Sequence, residues 1–234
     1  MHERVEEVEN DGFHTGNLAV PGVERPEPAL GFGPVEQSDV TVIPANEASW
    51  DDLQTVFGRG GAAKCQCQRV KLGDRAWFDT GIEERAHRLR EETDCGHPEA
   101  EDTSGLVAYL DGEPVGWVAV EPRAAYRRLR GSPVPWAGRD EDPEDPDVWA
   151  IVCFAVRAGY RGRGITRPLA RAAADHARER GAKAVEGYPM IPRPGQNVTW
   201  GEMNVGSRTT FVAAGFREVS RPTTRRAVMR LELG

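Results

Sequence analysis

The sequence predicts an α+β (α/β mixed) sheet domain, and three observations predict it. A continuous apolar strand at Val148 to Val156 leads through a glycine turn into a helix and then another strand. Two apolar runs, Leu106 to Leu110 and Val115 to Val120, flank Asp111-Gly112, where both residues tolerate the positive φ of a tight hairpin turn. Two further strand-like runs, Phe216 to Val219 and Ala227 to Leu233, close the chain.

The 234 residues suffice for one sizeable core, and 39 % hydrophobic with 29 % charged residues fits a globular protein. No apolar run approaches the roughly 20 residues of a membrane span. The acidic start, Met1 to Asp11, lacks a secretory pattern, so a cytoplasmic location is expected. A net charge of -7 argues against a general nucleic-acid binder. Locally the balance reverses: seven arginines lie between Arg157 and Arg180 against Asp175 and Glu179, a concentration suited to a multiply phosphorylated ligand or a solvated helix face.

Residues 1–38 carry Glu, Gly and Pro without periodicity and are expected as a poorly ordered arm or surface strap ahead of a domain at 39–234. Val40 to Ile43 reads as a strand, and Glu47 to Phe57 as a helix with Trp50, Leu53, Val56 and Phe57 on one side. Beyond Gly58 to Gly61, the Cys65-Gln66-Cys67 segment and a helix-permissive Ile82 to Glu92 are expected near the surface. Pro122 to Asp147, with several prolines, a basic cluster and then an acidic one, reads as a long loop. After Gly164 a helix with an apolar stripe of Ile165, Leu169, Ala172, Ala173 and Ala177 runs to about Arg180, and Gly181 ends it. Ala184 to Met190 is a strand, Ile191 to Glu202 a loop and Asn204 to Ala214 a short helix.

The chemistry centres on Arg161-Gly162-Arg163-Gly164-Ile165-Thr166, between the buried strand and its helix. Glycines let the backbone approach a ligand, and first-turn N–H groups, helix dipole and arginines all favour phosphate. Pro168 sits where a missing N–H is tolerated. The triphosphate loop G-x-x-x-x-G-K-[ST] is absent, and the dinucleotide fingerprint fails because its third glycine would fall on Arg167.

Cys153-Phe154-Ala155-Val156 followed by Arg161-x-x-Gly164-x-Thr166 resembles the signature R/Q-x-x-G-x-G/A of the GNAT N-acetyltransferase family, with Thr166 departing from Gly or Ala. Phe211-x-x-x-Gly215-Phe216-Arg217 is similar to the family's last helix and its Y-x-x-x-G-F ending, and the likeness extends less sharply over about 40–233. The resemblance implies a GNAT fold, a sheet of about seven strands splayed between strands four and five, with acetyl-CoA in the opening. It implies pantetheine pairing at Phe154, Ala155 and Val156, and a pyrophosphate held by the amides of Arg161, Gly162, Arg163, Gly164, Ile165 and Thr166. Arg157, Arg167 and Phe211 join the expected cofactor-binding residues. The expected reaction is direct attack by an amine in a ternary complex, with the Val156 amide polarising the thioester carbonyl.

The family's general-acid tyrosine aligns with Phe211, which has no proton to give. Tyr188 is a substitute candidate, and Glu121 and Glu186 are candidate bases, each open to a plainer reading as a packed aromatic or a solvated carboxylate. Cys65, Cys67, Cys95 and His97 form a zinc-compatible set with an unusually tight first spacing; structural thiols or a cysteine-lined acceptor site compete with that reading, and no metal is expected. Cys153 is expected in the core. The sequon at Asn197 lacks secretory context. The leading expectation is acetylation of a small-molecule primary amine, with Trp136 and Trp200 as pocket walls and Asp140 to Asp147 suiting a cationic acceptor. A protein N-terminal or lysine acetyltransferase, a non-catalytic acyl-CoA-binding module, and a zinc-dependent interaction domain are the alternatives. No membrane or nucleic-acid partner is expected, and a homodimer is compatible with the reading.

Overall fold

The computed structural model describes residues 39–193, 198 and 200–234, without the Trp200 side chain. The expected arm at 1–38 and most of the Asn197 sequon therefore lie outside the described residues. Strand β1 (Val40–Pro44) leads through a 3-10 turn to α1 (Trp50–Phe57), whose N-cap Ser49 accepts from the Asp52 N–H. Helices α2 (Gly61–Cys65), α3 (Asp74–Asp79) and α4 (Ile82–Thr93) follow, then β2 (Leu106–Leu110) and β3 (Glu113–Pro122). Asp111 at φ 52° and Gly112 at φ 79° make the hairpin turn that their sequence predicts. Helix α5 (Arg127–Gly131), β4 (Val148–Val156), α6 (Thr166–Glu179) and β5 (Ala184–Gly187) come next. The chain ends with α7 (Trp200–Met203), α8 (Arg208–Ala213), β6 (Arg217–Thr223) and β7 (Arg226–Glu232).

The seven strands form one mixed sheet in the order β1-β2-β3-β4-β5-β7-β6, with β4 and β5 parallel and the other neighbours antiparallel. Side chains alternate between two cores. Trp149, Ile151 and Phe154 join α6, Phe211 and Phe216 on one face; Ala150, Val152 and Cys153 join Leu53, Phe57 and Leu89 on the other. Val152 and Cys153 share a face because the β3–β4 register shifts there: Ala119 pairs with Cys153 but Val120 with Ile151, leaving Val152 as an extra residue.

Two readings of the connections change. The segment after Gly58 is not superficial: Gln66, Cys67, Gln68, Leu72 and Leu89 are buried, with the Trp117 Nε1 donating to the Cys67 Sγ at 3.2 Å. Its helices α2 and α3 are under two turns long, too short for a periodic signal. Pro122 to Asp147 is also more than a loop, because its basic and acidic halves pair with each other. Arg130 bonds Glu144 at 2.7 Å, and Arg123 and Arg139 meet Glu141 at 3.5 and 3.1 Å. Strand β5 stops at Gly187, short of the expected Met190, and α8 begins at Arg208 behind its N-cap Ser207, later than the expected Asn204.

Candidate functional site

The last β4–β5 pair is Ile151 with Gly187, and β4 runs five residues further without β5 beside it. The sheet opens into a wedge at the bulge. On the β3 side the Arg157 N–H donates to Val115 O at 2.9 Å; strand alternation therefore turns the amides of Phe154 and Val156 into the wedge. There the Phe154 N–H donates to Asn204 O at 2.6 Å, and Val156 O accepts from Arg161 Nε at 3.1 Å.

At the outer end of β4 lies the glycine loop. Gly162 and Gly164 have φ of 76° and 88°, and a Cβ at either would meet nothing within 4 Å, so the glycines serve backbone shape rather than packing. Ile165 is buried and anchors the loop: a Cβ on Gly116 of β3 would press on its Cγ2 at 2.8 Å. Helix α6 starts without a side-chain cap, which leaves its first amides to other acceptors, and Pro168 falls in the first turn. The Thr166 hydroxyl reaches Thr210 Oγ1 at 3.1 Å, so the residue that departs from the small-residue pattern ties α6 to α8.

Two expected ligand contacts are engaged within the protein. Arg157 bonds Glu113 at 2.7 Å and Pro114 O at 3.3 Å, on the β2–β3 hairpin, while its guanidinium lies over the Tyr160 ring beside the loop at 5.6 Å. Phe211 is fully buried, edge-to-face with Phe154 at 5.9 Å and Phe216 at 5.2 Å, and a Cβ on Gly187 would overlap its ring. It is a core residue at the foot of the wedge, not an open binding surface. Arg161 and Arg167 are exposed beside the loop, and Arg163 lies over Tyr160 at 5.3 Å.

A cavity reaches the wedge from the α4–α5 side of the sheet. Its inner chamber, about 70 Å³, is lined by Val152, Val134, Pro135, Tyr188 and Val205 among others. It adjoins an outer chamber of about 570 Å³, and Val70, Leu129, Ser132 and Arg226 line both. Trp136 lines neither of these two chambers; its Nε1 donates to Leu129 O at 2.8 Å and its ring carries the Arg123 guanidinium at 4.9 Å.

The carboxylates proposed as bases are ion-paired. Glu186, fully buried on β5, accepts from Arg123 at 3.1 Å, from Arg230 at 2.9 Å and from Arg139. Burial pushes its pKa up, but the hydrogen bond and charge of Arg139, with those of Arg123 and Arg230, outweigh burial and hold it below the usual range. An anion so stabilised is a poor proton acceptor, so Glu186 loses its place as base and becomes the hub of a buried charge cluster. Glu121 pairs with Lys71 at 2.6 Å, and Lys71 also meets Glu92 at 2.9 Å. That group lines a cleft with essentially no free volume, remote from a base's need for access. Tyr188 lines the inner chamber, and its hydroxyl donates to Glu186 Oε2 at 2.9 Å. Burial, then the Glu186 charge, push its pKa well up, so it stays protonated.

The cysteine set does not assemble. Cys95 bonds the Thr93 hydroxyl, Cys67 meets Trp117, and His97 lies among exposed carboxylates. Among the described residues no group of three or more His, Cys, Asp or Glu could hold a metal ion, which removes the zinc alternative. Burial and neighbouring Cys67 raise the Cys65 thiol to about 11, and burial raises Cys95, so these are protonated structural thiols. No described helix is long and apolar enough to cross a membrane.

Residues 70–188 match the model of the acetyltransferase (GNAT) family. Solved structures with similar folds include an N-acetyltransferase from Staphylococcus aureus (12% identity, TM-score 0.46, 83% of this chain and 99% of that one). Another is the Salmonella typhimurium protein yncA with its cofactor acetyl-CoA (16%, 0.46, 84% and 95%). A third is a GCN5-related N-acetyltransferase from Kribbella flavida (18%, 0.47, 84% and 99%). Among curated proteins no match is found.

Proposed function

From the premise that this chain belongs to the acetyltransferase (GNAT) family, whose members use acetyl-CoA, we propose that it acetylates the primary amine of a small molecule by direct attack in a ternary complex. One observation carries the reading: the wedge-facing amides of β4 lie between the glycine loop at one end and the cavity beside Val152 and Tyr188 at the other. A phosphorylated thioester and an amine would enter by separate routes and meet at one strand.

In this reading the main-chain donors of Arg161 to Thr166 and the uncapped start of α6 take the pyrophosphate, with Arg161 and Arg167 adding charge. The residues fit such a group, because positive φ at Gly162 and Gly164 shapes the loop and no packing contact occupies their side-chain directions. The Val156 amide polarises the thioester carbonyl. Holding the partners in line supplies much of the acceleration, as proximity can contribute roughly 7–11 kcal/mol. With Glu186 and Glu121 committed to cations, the amine is deprotonated through solvent. Tyr188, kept protonated, can supply the departing sulfur once its O–H turns from Glu186.

Calorimetry with acetyl-CoA and thiol release across an amine panel test the proposal. It fails if folded protein shows no association with acetyl-CoA. Phe211, lacking a hydroxyl, supports a second reading, an acyl-CoA-binding module without turnover; binding with no thiol release from any amine would favour it.

A further inference from the structure

The cavity beside the wedge is cationic, although an amine acceptor brings positive charge of its own. Arg127, Arg128 and Arg226 line the outer chamber, and among its described lining residues Asp74 is the single carboxylate. Asp74 is already spent, bonded by Arg128 and by Arg69 at 3.2 Å. Three acids of the run that would suit a cationic acceptor are spent as well: Glu141 serves Arg123, Arg139 and Arg230, Glu144 serves Arg130, and Asp145 meets Lys183 at 2.5 Å. None of these three carboxylates lines either chamber.

Arg127 and Arg226 stand outside this pairing, and Arg226 is the half-buried one of the two, Arg127 being exposed. Arg226 opens β7 and lines both chambers, so it stands where they meet. Its neighbour Arg225 is answered by Glu202 at 3.1 Å, whereas Arg226 has no side-chain hydrogen bond or ion pair among the described residues. Burial first, and repulsion from Arg225 second, lower its pKa without removing its charge. A half-buried guanidinium lacking an anion carries an uncompensated desolvation cost, and its planar fork matches a carboxylate.

We propose that the acceptor is an amine that also bears a carboxylate, an amino-acid-like molecule whose acid group pairs with Arg226 while its amine enters the inner chamber beside Val152 and Tyr188. This rests on the acetyl-transfer reading and deepens it. The neutral nitrogen forms a bond to the thioester carbonyl carbon and the C–S bond breaks. Sulfur leaves with the electron pair and takes up the proton that nitrogen loses, giving an N-acetyl amino acid and a free thiol.

The test compares each amino acid with its carboxamide and with the decarboxylated amine of the same side chain, reading thiol release from acetyl-CoA. The best amino acid should exceed both counterparts in kcat/KM by roughly 10- to 100-fold, the range of a charge-assisted pair. Arg226→Ala should erase that ratio while acetyl-CoA affinity and melting temperature stay at wild-type values, and Arg226→Lys should restore part of it. Equal turnover of the uncharged or purely cationic amines overturns the inference, and so does an Arg226→Ala protein that keeps the preference. Acetyl-CoA binding without turnover of any carboxylate-bearing amine overturns it too. Loss of acetyl-CoA binding in the wild-type protein would instead bring down the acetyl-transfer reading, and calorimetry on the same preparation tells the two failures apart.

Discussion

Glu186 shows how one buried carboxylate can organise a region without acting on a proton. Its oxygens are shared by Arg123, Arg139 and Arg230, which come from the α5 approach, the following loop and β7. Glu186→Gln would leave three largely buried guanidiniums short of their common anion and should cost about 3–5 kcal/mol, measured as a lower urea midpoint. A catalytic base would be revealed differently, by loss of the acidic limb of the kcat pH profile at unchanged stability. Tyr188→Phe should lower kcat about 10- to 100-fold with the KM for acetyl-CoA unchanged, since it removes a proton donor but no binding contact to the co-substrate. Phe211→Tyr should leave activity in place, because the ring is sealed against Gly187, and should cost about 1–3 kcal/mol for an unpaired buried hydroxyl.

At the scale of the element, the strand–loop–helix unit of β4 and α6 is the part most legible in the chain. Its glycines, its apolar strand and the stripe of α6 each leave a local signature, and Gly181, at φ 78°, ends the helix as expected. Gly164→Val forces a β-branched residue to φ 88°. It should lower acetyl-CoA affinity by more than tenfold in calorimetry while costing about 1–3 kcal/mol in stability. The pocket was far less legible. Val70, Leu129, Val152, Tyr188 and Arg226 are scattered over more than half the chain, and only the topology gathers them. Composition could not show that Glu141, Glu144 and Asp145, within the acidic run, are already held by arginines and a lysine from elsewhere. The wedge between β4 and β5 was implied by the family resemblance, whereas the bulge at Val152 that marks it leaves no signature in the unbroken apolar run Val148 to Val156.

Across the whole molecule, one buried titrating group adds to the response to acid. His176 packs edge-to-face on Trp149 at 5.9 Å, and burial, aided by Arg180, lowers its pKa to about 4 from 6.5. Between those values the unfolded chain binds more protons than the native one. The contribution is therefore complete above pH 6.5 and lost as pH falls toward 4, by ~3 kcal/mol at 1.36 kcal/mol per unit. Urea midpoints across that range should show the slope, and His176→Leu should flatten it. The contact between Asn204 and the Phe154 amide carries a different consequence. A single main-chain hydrogen bond contributes about 0.5–1.5 kcal/mol, so the apex of the gap is latched by an amount that thermal motion releases in on the order of a tenth of molecules. The rung that a guest would need is thus kept dry and pre-shaped by the chain itself, at a cost too small to bar entry.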